Sequence, residues 1–189
     1  MNPVTSKVGI VVLDVFDSAT LQKCLKALPD DSPTIVVSNN QRPYAVNGDR
    51  FNVFHREVIT RRVSFGTLKN IGLRFLKFDC DDKPIHVLIV TSDFIVEEST
   101  IESCVKLGET FGTWIQTSAN TKPFIDIEDE DNKQTLELHS TYGINAMFMP
   151  LNVTDHIGYF DERYYEDGGL EVFDYIQRLR AVKLYPSWN

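Results

Sequence analysis

The sequence has little cysteine, no long apolar run and no excess of positive charge, and each shortage excludes something. Its three cysteines, Cys24, Cys80 and Cys104, lie far apart with no CxxC pair. Neither a zinc site nor a disulfide framework is suggested, and a reducing, cytoplasmic setting is expected. No apolar stretch approaches the roughly 20 residues of a bilayer span, so no membrane span is expected. The opening "MNPVTSKVGIVVLDVFD" carries one Lys and a short apolar run. No small-residue cleavage site follows, and Asp14 and Asp17 interrupt the pattern, so it reads as a first strand and not as an export signal. A formal net charge of −8 opposes non-specific attraction to nucleic acid or to an anionic membrane. His55, His86, His139 and His156 show no ligand spacing, and no Ser or Cys stands in a triad pattern. No Gly-rich, Lys/Arg-containing phosphate loop follows the first strand, and neither an internal repeat nor a low-complexity linker interrupts the chain.

What is present is a chain of 189 residues with 42% hydrophobic and 11% aromatic residues. That suits one domain with a sizeable core, spanning residues 1–189. Charge is unevenly spread. Between His55 and Lys77 stand Arg56, Arg61, Arg62, Lys69, Arg74 and Lys77 against the single Glu57, whereas "DIEDEDN" at 126–132 is almost wholly acidic. The first stretch is suited to a phosphate or is a solvated helix face; the second reads as a solvated loop.

Runs rich in Val and Ile at Val8 to Leu13, Thr34 to Ser38 and His86 to Val90 read as strands. Their near-continuous hydrophobicity predicts burial on both faces, as in a mainly parallel sheet. Between the first two, Ser18 offers a cap and Leu21, Leu25 and Leu28 recur at helical spacing before Pro29 and Pro33. A second crossover places Leu68, Ile71, Phe75 and Phe78 at helical spacing, and a third helix is expected from about Glu98 to Gly108. After Gly112 come "TWIQTS", "KPFIDIE", "QTLELHS" and "NAMFMP", which suggest an antiparallel or mixed extension. A closing helix, "GGLEVFDYIQRLRAV", carries Leu170, Phe173, Ile176 and Leu179 as its expected apolar stripe.

In open α/β sheets, ligands sit beyond the carboxyl ends of the strands. Three polar clusters fall there: Asp14 to Ser18, Ser38-Asn39-Asn40, and Thr91-Ser92-Asp93. Together they favour a nucleotide-like ligand, although each alone is equally explained as turn chemistry.

The order of "VGIVVLDVFDSATLQKCLKAL", "TIVVSNN", "KNIGLRFL", "HVLIVTSDFIV" and "IGYFDERYYEDGGLEVFDYIQRLR" resembles a small, viral-type family 2 glycosyltransferase with the GT-A fold, over nearly the whole chain. "IGYFDE" at 157–162 is the most specific match, followed by the helix with Asp174 and Arg178. The resemblance implies an α/β, GT-A-like single domain, with a mainly parallel central sheet flanked by helices and an antiparallel C-terminal extension. It further implies an inverting hexosyl- or pentosyltransferase that takes a nucleotide-sugar donor and an acceptor glycan or other hydroxyl-bearing substrate. Asp14, Asp17, Ser38, Asn39, Asn70 and Ser92 fall at donor-contacting positions. For Asn70, helix packing is the equal alternative.

The departures from that pattern matter. Where the family carries a DxD metal motif this chain reads Thr91-Ser92-Asp93, leaving Asp93 as the remaining ligand for Mn²⁺ or Mg²⁺; the altered motif implies weaker metal affinity, and a metal-independent enzyme is the open alternative. Without a metal, Arg or Lys from 56–77 would meet the departing diphosphate. The usual base position carries Val172, so the acceptor's proton falls to Glu171 or, second, to Asp167. Both acids also suit a helix N-terminus without any catalysis. The family's terminal metal-binding His has no counterpart. Two rival readings stay open: transfer to hydroxymethylated DNA bases, which the basic stretch supports and the net charge opposes, and a non-catalytic GT-A-like binding or assembly protein. Oligomerisation is open as well.

Overall fold

A computed structural model describes residues 7–14, 21–38, 52–55, 64–111, 115–117, 146–164 and 170–182. The described elements are β1 (Val8–Asp14), α1 (Leu21–Ala27), β2 (Thr34–Ser38), β3 (Asn52–His55), α2 (Phe65–Arg74), β4 (His86–Thr91), α3 (Glu98–Phe111), β5 (Ile115–Thr117), β6 (Ala146–Pro150), α4 (Val153–Ile157) and α5 (Leu170–Ala181). The strands form one sheet in the order β3-β2-β1-β4-β6-β5. β3, β2, β1 and β4 run parallel, β6 pairs antiparallel with β4, and β5 pairs antiparallel with β6. This is the expected mainly parallel sheet with an antiparallel extension. "KPFIDIE" and "QTLELHS" lie outside the described residues.

Burial on both faces explains the apolar runs. Every residue of β1, β2 and β4 is buried. Val11, Leu13, Val37 and Ile89 pack with Leu68, Leu73, Leu76, Val172 and Tyr175 on the side of α2 and α5. Ile10, Val12, Val36 and Val90 pack with Leu21, Leu25, Ile101 and Val105 on the side of α1 and α3. Two-sided cover of this kind is what a parallel sheet needs. His86 is buried inside the sheet and stacks on Phe148 with ring centroids 5.1 Å apart. Among the described residues no helix is long and apolar enough to cross a membrane.

Two helical stripes differ from expectation in phase. On α5 the buried residues are Glu171, Val172, Tyr175, Ile176 and Leu179, while Leu170 and Phe173 are more than half exposed. A strict every-third pattern drifts around a helix of 3.6 residues per turn, so only its end stays on the packed face. On α2 the helix widens at Phe75–Asp79 into a π turn, closed by the Cys80 N–H donating to the Phe75 carbonyl at 3.0 Å. That turn rotates Phe78 outward, to 63% exposure, and leaves Leu76 as the buried residue. β3 had no counterpart in the sequence reading, and α3 runs three residues past the expected Gly108, to Phe111.

Close packing fixes the direction of α2. A Cβ on Gly72 would meet Val11 Cγ1 at 2.3 Å, and one on Gly9 would meet Leu76 Cδ1 at 2.7 Å. The helix therefore runs antiparallel to β1, with its start at the carboxyl edge of the sheet. Ser64 caps that start, its Oγ accepting from the Thr67 N–H at 3.0 Å.

Candidate functional site

The strand order reverses between β1 and β4, the switch point where a ligand crevice opens beyond the carboxyl ends. β1 ends there on Asp14, which is 1% exposed. Its register partner on β2 is Ser38, whose Oγ donates to Asp14 Oδ2 at 3.1 Å. On the other side, β4 ends in a tight turn, with the Phe94 N–H donating to the Thr91 carbonyl at 3.0 Å. Ser92 is buried within that turn and its N–H donates to the Leu13 carbonyl at 2.9 Å. Asp93 is exposed at the tip. Thus Asp14, Ser38, Ser92 and Asp93 sit on the ends of three adjacent strands. Asp17 and Asn39 lie outside the described residues.

Among the described residues no group of three or more His, Cys, Asp or Glu is placed to hold a metal ion. Ser38 occupies one oxygen of Asp14, which leaves Asp93 as the exposed carboxylate of the turn. A single carboxylate suits an ion that keeps water and diphosphate oxygens as its other ligands, and does not suit one held by the protein alone. Burial, with the Asp93 carboxylate adding to it, pushes the Cys24 thiol up to about 12. Asp93 therefore lies within electrostatic range of α1.

On the α2 and α5 face of the sheet, side chains of both helices hold the segment 157–163. The side-chain amide of Asn70 brackets the main chain of Phe160: Nδ2 donates to its carbonyl at 2.9 Å and Oδ1 accepts its N–H at 2.9 Å. Nδ2 also donates to Glu162 Oε1 at 2.8 Å. Arg178 grips the same segment from α5, donating to the carbonyls of Ile157 at 2.6 Å and Tyr159 at 2.9 Å, with Asp174 holding its Nε at 2.8 Å. Gly158 between them takes φ of +77°, a conformation that favours glycine. Asp161 accepts a forked pair from Arg163, which holds its carboxyl down at about 2.

Glu171 is 1% exposed and forms an ion pair with Lys69, Nζ to Oε1 at 2.7 Å. Burial pulls the Lys69 ammonium below its ordinary value, and the Glu171 carboxylate pulls the other way. Asp167 lies outside the described residues. The cations of α2 and its π turn are all engaged internally: Lys69 with Glu171, Arg74 with Glu162 at 3.5 Å, and Lys77 with Asp155 and Thr154. Arg56, Arg61 and Arg62 fall outside the described residues. Sequence reasoning missed Lys69 as a buried partner, although Lys69, Gly72, Leu73 and Leu76 share one helical face, and a lysine on an apolar face is itself a signal. It also missed Glu162, which accepts from Thr67, Asn70 and Arg74.

Solved structures share this architecture. TarS of S. aureus, a glycosyltransferase studied as residues 1–349, is 14% identical with a TM-score of 0.57, covering 85% of this chain and 52% of that one. The fold is GT-A-like. A 4-diphosphocytidyl-2C-methyl-D-erythritol synthase from Anaerococcus prevotii, a nucleotidyltransferase, is 10% identical with a TM-score of 0.52, covering 93% of this chain and 85% of that one. At such identities the shared property is the fold, and this chain spans about half the length of the TarS structure. No protein-family model and no curated protein matches the sequence.

Proposed function

We propose that the chain is a nucleotide-sugar-dependent glycosyltransferase of the family 2 type, inverting, acting in the cytoplasm on an acceptor hydroxyl. The observation that carries this reading is the convergence of Asp14, Ser38, Ser92 and Asp93 at the switch point of a GT-A-like sheet. The buried Asp14–Ser38 pair, with Asn39 and Asp17, would face the nucleoside, and Ser92 and Asp93 the diphosphate. Asn70 reaches the donor only through the segment it brackets. A divalent ion between Asp93 and the diphosphate would stabilise charge developing on the leaving group.

The acceptor oxygen attacks the anomeric carbon from the face opposite the diphosphate. The bond from that carbon to the diphosphate oxygen breaks, and the acceptor's proton passes to a carboxylate. Of the two carboxylates the sequence offers for that step, Glu171 and Asp167, Glu171 is buried against Lys69, so the step falls to Asp167. Likeness to a glycosyltransferase and to a nucleotidyltransferase supports nucleotide-dependent transfer in general. A second reading, a GT-A-like nucleotide binder without catalysis, draws on the lack of a metal-holding group among the described residues and on the burial of Glu171.

A thermal-shift panel of UDP-, GDP-, dTDP- and CMP-sugars, each with and without Mn²⁺, tests the site, because a ligand that binds only the folded state raises its melting temperature. A shift from one nucleotide class, reduced or made metal-independent by Asp93→Ala, is expected. A metal-dependent shift that survives Asp93→Ala unchanged removes the metal role. A shift without release of nucleotide, with acceptors supplied, favours the binder.

A further inference from the structure

Lys69 points inward from α2 and is 4% exposed, on the same face as Gly72, Leu73 and Leu76. Its Nζ lies 2.7 Å from Glu171 Oε1, 5.1 Å from the centroid of the Phe160 ring and 5.9 Å from that of Phe65. A buried ion pair of this kind adds little stability over a well-packed apolar pair, because both ions must leave water. Its presence therefore calls for a reason other than stability. Place in the fold supplies one. Gly72 packs on Val11 in mid-strand and Leu76 on Gly9 nearer the start of β1, so Lys69, a turn before Gly72, lies toward the carboxyl edge. Glu171 is the second residue of α5. The pair thus ties the first turn of α5 to α2 beside the crevice.

We propose that Lys69 is a positioning residue for the transfer reaction: it fixes Glu171 as an ionised anchor that sets the start of α5 against the crevice, and the acceptor's proton goes to a different carboxylate. This rests on the transferase reading above. A general base must come within hydrogen-bond reach of the proton it takes. Glu171 is buried with one oxygen held on the Lys69 ammonium, a geometry that does not present the carboxylate to an acceptor. The same features suit an anchor. It needs a fixed geometry and no access from solvent.

The test compares Lys69→Met with the double variant Lys69→Met/Glu171→Leu. It uses the donor giving the largest shift in the nucleotide-sugar panel and reads melting temperature, donor-induced shift and nucleotide release. Breaking the pair on one side leaves a buried lone carboxylate, so Lys69→Met should lose about 10 °C of melting temperature. Measured well below that temperature, its release of nucleotide should fall on the order of 100-fold, the cost of a displaced site, while the donor-induced shift persists. Removing both charges should restore much of the stability and of the turnover. A double variant that is stable yet inactive overturns the proposal, because the Glu171 carboxylate is then itself required. Unaltered release in Lys69→Met also overturns it, as does loss of donor binding together with release, the mark of a merely structural role. If Lys69→Met does not fold, the double variant decides alone. A wild-type protein that neither shifts with nor hydrolyses any donor overturns the transferase reading and the positioning role with it. That failure is distinct because it appears in the wild type and not in the variants.

Discussion

Replacing Asn70 with alanine should detach α2 from the segment 157–162. Asn70 is 1% exposed, and its amide satisfies both main-chain groups of Phe160 as well as Glu162 Oε1. Truncation leaves the buried N–H and C=O of Phe160 without partners, at about 1–3 kcal/mol each. The bond to Glu162 is charge-assisted but partly open to water, and adds about 1 kcal/mol. A loss near 4 kcal/mol follows. In a chain of 189 residues, that corresponds to roughly 10 °C in melting temperature. Asn70→Asp sharpens the test, since a carboxylate still accepts the Phe160 N–H but turns an oxygen toward the Phe160 carbonyl and toward Glu162. Its melting temperature should be no higher than that of the alanine variant. Thermal unfolding followed by far-ultraviolet circular dichroism gives both melting temperatures, and urea unfolding gives the free-energy loss. If Asn70→Ala melts within about 2 °C of the parent, or Asn70→Asp is indistinguishable from it, the bracket does not hold the segment as described.

Tyr175 is fully buried, its hydroxyl has no hydrogen-bond partner among the described residues, and burial pushes its ionisation upward. Tyr175→Phe should therefore stabilise by about 1 kcal/mol; a clear loss of stability would show that the hydroxyl is satisfied in solution. Gly72→Ala forces a Cβ against Val11 Cγ1 at 2.3 Å and should cost about 1–3 kcal/mol as overpacking, although alanine is the better helix former; a neutral result would place α2 farther from β1. Burial pushes the thiols of Cys24 and Cys104 up to about 12, so iodoacetamide at neutral pH should label Cys80 well ahead of either. Peptide mapping that finds Cys24 or Cys104 labelled as fast as Cys80 would contradict their burial.

How much of this could be read from the chain depended on whether the determinant was local. β1, β2 and β4 were legible because burial on two faces writes itself as an unbroken Val/Ile run, and the strand-end rule then located Asp14, Ser38, Ser92 and Asp93 without any coordinates. β3 was not legible, because "NVFH" is too short to show a period and owes its pairing to β2. The stripes of α2 and α5 were half right, since a count of every third residue loses phase with the helix and the π turn at Phe75–Asp79 shifts it again. The Lys69–Glu171 pair joins residues 102 apart, so neither partner names the other in the sequence.

Two stretches behind the resemblance, "KNIGLRFL" and "IGYFDE", look in sequence like separate pieces of chemistry. In the fold they touch. Asn70 of the first brackets Phe160 of the second, and Arg178 of the last helix holds the carbonyls on either side of Gly158. A Cβ on Gly66 would come within 2.8 Å of the Asp161 carbonyl, so the first turn of α2 lies directly on the same segment. These residues behind the resemblance therefore contribute packing and main-chain hydrogen bonds that hold the segment 157–162 against α2 and α5. Such residues are consistent with a transferase and equally with a binder that keeps the scaffold, because the scaffold must be built in either case. Discrimination then falls on the few groups at the crevice that the scaffold does not need, and among the described residues Asp93 is the clearest of these. It is exposed at the tip of its turn, and its side chain has no part in the hydrogen bonds that shape it. Loss of Asp93 should leave the stability of the free protein within about 0.5 kcal/mol of the parent, as for a surface substitution, while changing what nucleotide and Mn²⁺ do to its melting temperature. An Asp93→Ala variant that is destabilised on its own, with no altered response to ligand, would show that this acid belongs to the scaffold after all.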